Sequence, residues 1–327
     1  MKLIIYKLYI DVINRPMTLQ ELRYIVALAD SEHFGQAAEA CHVTQSTLST
    51  QVKKLEDYLG ITLFDRTLKR VSPTPIGRAI IASARIMVEE ATRIRTLAHH
   101  SGEDIMACTL QLGVIPTVGP YYLPHVLGTI HKTFPLLKLM LREETTPTLL
   151  TNLQVGRFDA ALLALPIEAE NLETFPLFRE PFMVALPSDH RLVERKQLRV
   201  RDLDGENLLL LEEGHCLRDQ ALDLCSAHLG KTEEVQSTSL EMLRQMVGMG
   251  LGITLLPQLA AENAPRGVKR LLELRPFAAP APTRTIGLVW RRRSPRSETL
   301  LRLAQKLQSQ LPAGVLEVTA SRKGLGI

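Results

Sequence analysis

An α/β chain in three parts is predicted: a small helical head with a hairpin, one long helix, and a larger two-lobed unit of alternating strands and helices. Three observations predict it. Short amphipathic helices fill residues 18–58, an apolar seam with steps of four and three runs from Ile80 to Ala98, and beyond Cys108 apolar strand-like runs alternate with helical ones. At 327 residues the chain has room for two or three domains, and its 45% hydrophobic and 23% charged residues are ordinary for a globular protein. No apolar run reaches the roughly 18 residues of a membrane helix, which argues against a membrane role.

Residues 1–16 are apolar, but Lys7 and Asp11 interrupt them and no small-residue cleavage site follows, so they are set apart as an extension, with Met17 the better start. In 18–30, Leu22, Ile25, Val26 and Ala29 mark one buried helix face. A short helix over 36–41, a turn at His42-Val43, and Thr44 as N-cap of a second helix to about 58, stopped by Gly60, make a tight pair. Leu48, Val52 and Leu55 face inward, leaving Gln45, Ser46, Thr47, Ser49, Thr50 and Lys53 outward, and 63–71 reads as a hairpin-like wing. Residues 17–75 therefore read as a winged helix-turn-helix. An ordinary helical hairpin would more often carry Glu and Lys outward, whereas Gln, Ser and Thr can hydrogen-bond base edges, with Lys53, Arg66 and Arg70 neutralising phosphates. Net charge is only +4, so a surface for double-stranded DNA has to be local; between Thr44 and Arg78 the cations Lys53, Lys54, Arg66, Lys69, Arg70 and Arg78 face only Glu56, Asp57 and Asp65.

The long helix over 75–100 carries the seam Ile80, Ala84, Met87, Ala91, Ile94 and Ala98, whose period of about 3.5 residues is a coiled-coil signal. Residues 76–107 are thus expected to link the head to the rest and to dimerise. Strands are expected at 110–115, 136–141 and 159–165, helices at 123–134 and 148–154, the last closed by Gly156. That alternation predicts parallel sheets with crossover helices. A second α/β unit spans 181–283, with strands at 208–211 and in the Gly250 to Pro257 segment, after which the chain returns through 285–290 and a helix over 298–311. The larger unit, 108–316, so divides into one lobe of 108–180 and 284–316 and another of 181–283, with a ligand cleft between them. The tail, 317–327, and the chain from Gly314 onward are expected to be mobile.

Four cysteines, Cys41, Cys108, Cys216 and Cys225, in a large chain without a signal point to a reducing cytoplasm, where a transient disulfide carries meaning. Cys216 follows Gly214-His215 and precedes Arg218, so nearby cations or a helix start are expected to favour its thiolate. If 217–225 form one helix, they rise about 13 to 14 Å with a half-turn offset, beyond the roughly 7 Å Cα limit for a disulfide. The pair can bond only by refolding.

These features resemble the LysR-type transcriptional regulators over essentially 17–316. The residues carrying the resemblance are Leu22-Arg23-Tyr24-Ile25-Val26-Ala27-Leu28, Phe34-Gly35-Gln36-Ala37-Ala38, the 44–56 segment, Leu63-Phe64-Asp65-Arg66-Thr67 and Thr74-Pro75-Ile76-Gly77. Ser46 departs from the proline frequent there. The effector half is similar to the family's peroxide sensors through 113–121, Gly214-His215-Cys216-Leu217-Arg218-Asp219-Gln220, Cys225 and 284–289; the loop 226–237 differs in length. The resemblance implies a periplasmic-binding-protein-like regulatory domain. It implies Cys216 as the peroxide-reacting cysteine, Cys225 as the resolving one, Thr117, Thr146 and His215 as peroxide-binding residues, and Arg218, Asp219 and Arg284 as support. It also implies promoter DNA, RNA polymerase and a thiol reductant as partners, no cofactor, and a homodimer or homotetramer. Cys41 sits where these proteins often have cysteine; Cys108 has no counterpart in the pattern.

Three other readings compete. His215, Cys216, Cys225 and His228 offer four zinc ligands, but adjacent ligands rarely close one tetrahedron, so no metal is expected. A peroxidase using the same sulfur chemistry would not need a DNA-binding head, so the chain is not expected to be an enzyme. A LysR-type regulator sensing a small organic metabolite in the cleft is the alternative that stays open.

Overall fold

Reciprocal capping starts the first helix: Thr18 Oγ1 accepts the Glu21 N–H at 3.2 Å while the Glu21 carboxylate accepts the Thr18 N–H at 2.9 Å. Helix α1 then runs Leu19–Ser31. The computed structural model describes residues 17–67, 70–99, 104–169, 171–225, 236–262 and 272–318, and the boundary between its two compact units falls between Glu103 and Asp104. Helix α2 (Phe34–Ala40) is capped by His33 Nδ1 and starts two residues earlier than expected, leaving Cys41 as its C-cap. Helix α3 (Gln45–Leu59) opens on Thr44, whose Oγ1 accepts from Thr47 N–H, and ends at Gly60 in the left-handed region, φ 67°. Strands β1 (Phe64–Thr67) and β2 (Arg70–Pro73) pair antiparallel as the wing.

Leu22, Ile25, Leu28, Leu48, Val52, Leu55, Leu63 and Phe64 form the core of this unit. Glu56, buried on α3, accepts the Leu63 and Phe64 N–H groups at 2.8 and 3.2 Å and so fixes where the wing leaves the helix. The long helix α4 (Pro75–His99) begins against that wing: a Cβ on Gly77 would lie 2.1 Å from Leu63 O, so only glycine permits the approach. An Asp30–Arg85 pair at 2.9 and 2.5 Å ties α4 to α1.

The expected dimer seam is split by this packing. Ala84, 2% exposed, lies in the core of its own unit beside Ile81, and Ile80 packs partly against it. These two do not belong to a free face. Met87 and Ile94 remain 51% and 63% exposed, Ala91 is half-buried, and Ile76 and Ile86 are exposed as well. The physical reason is that the first turns of α4 complete the head's core, while further along the helix Met87 and Ile94 stay exposed among the described residues. The Ala98 side chain lies outside the described residues.

The second unit takes in Met106, which is buried in its core, so it starts before the expected residue 108. Strands β3 (Thr109–Val114), β4 (Lys138–Glu143) and β5 (Ala160–Leu165) are parallel, joined by α5 (Gly119–Thr133) and α6 (Thr146–Gln154). Helix α5 begins four residues before the expected start because Pro120 fits a first turn, where its missing N–H has no partner to lose. The sheet is not wholly parallel. A 16-residue strand, β6 (Leu172–Pro187), absent from the expected elements, pairs antiparallel with β11 (Thr283–Arg291), which itself runs antiparallel to β5.

The second half of β6 pairs with β9 (Thr254–Pro257) and β10 (Leu272–Pro276) in the other lobe. The lobe crossings lie side by side where Pro181 pairs with Thr283. Around this sheet sit the two-residue strands β7 (Leu210–Leu211) and β8 (Gln236–Ser237), and the helices α7 (Cys216–Cys225), α8 (Leu240–Gly248), α9 (Gln258–Glu262) and α10 (Ser297–Gln308). The expected strand at 208–211 is shorter, with Leu208 reduced to an isolated bridge to Ile253. Residues 316–317 are not a free tail: β12 (Leu316–Glu317) pairs with Arg179 and Phe178 of β6. Among the described residues no helix is long and apolar enough to cross a membrane.

Candidate functional site

Gly214, with φ 93°, turns the chain so that His215 and Cys216 arrive at the start of α7. Along α7, Leu217, Ala221 and Cys225 recur at steps of four and are buried together. Cys216 opens the helix and Cys225 ends it, and nine steps at about 100° each leave them on opposite faces, about 13 to 14 Å apart along the axis. Both are free thiols.

Arg284 and Thr146, from two other elements, act on the first sulfur, and Thr117 holds the arginine. Thr117, buried in the turn after β3, receives Arg284 of β11 twice: Nη1 donates to Thr117 Oγ1 at 2.9 Å and Nη2 to the Thr117 carbonyl at 3.0 Å. The same guanidinium charge favours a thiolate at Cys216. Thr146, the first residue of α6, has a buried hydroxyl without a partner of ordinary geometry, yet it lies close enough to the sulfur to stabilise a thiolate. His215, the residue before Cys216, is buried.

Electrostatics correct one expectation. The Cys216 residue keeps some contact with solvent, but its sulfur is crowded by protein atoms, and burial pushes the thiol up against the opposing pull of Arg284 and Thr146; Asp219 pushes it up further. The cation whose charge reaches the sulfur is Arg284, not Arg218 or His215. Arg218 donates to the Leu211 carbonyl at 3.1 Å and so pins α7 to β7. Burial holds His215 toward its neutral form. Cys225 is likewise pushed up, first by burial and then by Asp204. Sequence reasoning missed Glu180, which grips Arg284 from the other side; it lies on the unexpected strand, and no local signal marks it.

On the head, Gln45, Ser46, Thr47, Thr50 and Lys53 are exposed on α3 and Ser49 is half-buried. The Ser46 and Thr47 hydroxyls lie 3.0 and 2.8 Å from Thr44 Oγ1, so the N-cap also orders two polar side chains of the outward face. Serine at position 46 leaves the helix intact. Lys53 pairs with Asp57 at 3.2 Å, and the side chains of Arg66 and Arg70, with Lys69, lie outside the described residues. Thr44→Ala is expected to lower head stability by about 1 kcal/mol and to weaken DNA binding; an unchanged melting temperature would count against the cap. Among the described residues no group of three His, Cys, Asp or Glu could hold a metal, and His228 lies outside them.

Two family models match: the bacterial regulatory helix-turn-helix protein, lysR family, over residues 19–78, and the LysR substrate binding domain over 106–312. The chain belongs to the LysR family. Within that family it is 44% identical over 298 residues to the DNA-binding transcriptional dual regulator OxyR of Escherichia coli K12, covering 90% of this chain and 96% of the relative. It is 38% identical over 296 residues to the hydrogen peroxide-inducible genes activator of Haemophilus influenzae, covering 90% and 97%. Among solved structures, a full-length OxyR variant from Pseudomonas aeruginosa superposes with a TM-score of 0.82 at 41% identity, covering 94% of this chain and 100% of that one. A hydrogen peroxide-bound OxyR mutant from Corynebacterium glutamicum gives 0.61 at 34% identity, covering 90% and 94%. The LysR-family assignment thus spans both units, and the Haemophilus influenzae relative is named as an activator of hydrogen peroxide-inducible genes.

Proposed function

We propose that this LysR-family chain is a hydrogen-peroxide-sensing, DNA-binding transcriptional regulator, an activator of oxidative-stress genes, switched by a reversible Cys216 to Cys225 disulfide. One observation supports the reading above the others: two thiols open and close a single helix on opposite faces, and the first feels the Arg284 charge, held by Thr117, and the Thr146 hydroxyl. The Cys216 sulfur attacks one peroxide oxygen, the O–O bond breaks, and the leaving hydroxide takes up the thiol proton as water. Cys216 is then a sulfenic acid. The Cys225 thiol displaces its hydroxyl, which leaves as a second water, and the two electrons taken from the sulfurs are those gained by the peroxide. Thr117 and Thr146 present hydroxyls to the peroxide, and neutral His215 offers a ring nitrogen.

Closing that bond requires α7 to unwind, and the altered lobe surface changes how subunits pack and how paired heads meet double-stranded promoter DNA. A cytosolic dithiol carrier resets the switch. The active form is a cytoplasmic homodimer or homotetramer acting with RNA polymerase, and it turns over no substrate as an enzyme.

A mass-spectrometric thiol map before and after stoichiometric peroxide, repeated across pH, tests the reading. The Cys216 to Cys225 bond should appear, and because burial raises the Cys216 thiol, its thiolate is the minority form at neutral pH. The peroxide rate should therefore climb with pH, about tenfold per unit below the thiol pKa. A rate independent of pH would mean the thiolate is already formed. If Cys216 reacts no faster than free cysteine, or the bond never forms, regulation by an organic metabolite in the cleft replaces the proposal.

A further inference from the structure

Glu180 is 1% exposed, and nothing in the reaction above uses it. Its Oε2 accepts from Arg284 Nε at 2.9 Å and forms an ion pair with Nη2 at 2.9 Å, and its Oε1 accepts the Leu259 N–H of α9 at 2.8 Å. The guanidinium is thus held on two edges, by Glu180 on one and by Thr117 on the other. A buried cation beside a sulfur would otherwise be drawn onto a thiolate as its counterion, because an ion pair in a dry site is strong. A sulfur so paired is more easily ionised but less nucleophilic, since a thiol's nucleophilicity falls with its pKa.

We propose that Glu180 is a positioning residue: its carboxylate keeps the Arg284 guanidinium on Thr117, where peroxide is received, and prevents it from collapsing onto the Cys216 sulfur. The inference rests on the thiol-sensing reading. Among the described residues, the charged groups acting on Cys216 are Arg284 and Asp219 of α7, and the preceding His215 feels Glu212. Of these, only Arg284 would be altered by changing Glu180.

The test uses the full chain and reads two quantities: the pH midpoint of Cys216 alkylation by iodoacetamide, followed on its peptide, and the peroxide rate at high pH, where the thiolate is complete. Alkylation needs no peroxide chemistry, so it separates failure of this inference from failure of the sensing reading. Glu180→Gln should move the midpoint down by about one unit and lower the high-pH peroxide rate by about threefold. Glu180→Asp keeps the charge with a shorter reach, and should hold the midpoint near that of the unaltered protein. Because the carboxylate also anchors α9, the single Gln variant is paired with Glu180→Gln/Arg284→Gln, which removes both buried charges and should fold. Its midpoint should lie above that of the unaltered protein. A midpoint unmoved in Glu180→Gln, whatever the double variant does, would reduce Glu180 to a structural role and overturn the proposal.

Discussion

Cys216→Ser is expected to abolish the peroxide response altogether, whereas Cys225→Ser should still consume one equivalent of peroxide and accumulate sulfenic acid at Cys216 without switching. The asymmetry follows from geometry. The Cys216 sulfur feels the Arg284 charge and the Thr146 hydroxyl, while Cys225 is buried on the opposite face with Leu217 and Ala221. Cys225 is reachable only after α7 opens. A dimedone-type probe read by mass spectrometry separates the variants, and equal labelling of both would remove the division of labour. Thr117→Val leaves a buried Arg284 N–H without its acceptor, and His215→Ala removes the adjacent ring. Each should slow the reaction by about a hundredfold, the effect of losing one polar group at a reacting centre, without preventing the final disulfide.

Met87→Glu is expected to have the next largest effect, on assembly. Met87 is half exposed on α4 and Ile94 more so, an apolar stripe left over once Ala84 and Ile81 have entered the head's core. A carboxylate buried there without a partner would cost about 3 kcal/mol or more, which is more than a hundredfold in association. Light scattering should then report monomers, and an oligomer of unchanged size would remove the stripe as the dimer contact. Ala84→Glu, by contrast, should unfold the head rather than dissociate it.

The head was legible almost to the residue because its signals are local. Thr44 and Gly60 bracket α3, and each acts through its own backbone or side chain. The 3.5-residue seam was visible too, but periodicity reports only that a face is apolar; that Ile80 and Ala84 are spent on their own unit depends on where α1 lies. Strand β6 carries little local strand signal, because Pro176 and Pro181 interrupt it. In the fold Pro176 sits at a β-bulge opposite Gly287, and Pro181 lies where the strand passes between sheets, positions where a missing N–H is tolerated. The same distance from local signals hid Glu180 and made Arg218, two residues from Cys216, look like its cation. Arg284, 68 positions on in sequence, takes that place because β11 lies against β6 and β5.

Strand β6 also bears on how the effector unit comes apart. Its first half completes the sheet of one lobe and its second half the sheet of the other, so neither lobe owns a full set of edges without it. Melting one lobe strips hydrogen-bond partners from the strand that the other still needs, which couples the two into one cooperative unfolding block. A fragment cut at residue 181 would begin in the middle of a strand. Amides along the whole of β6 should accordingly share the slowest exchange of the unit, open together, and mark the last structure lost on denaturation.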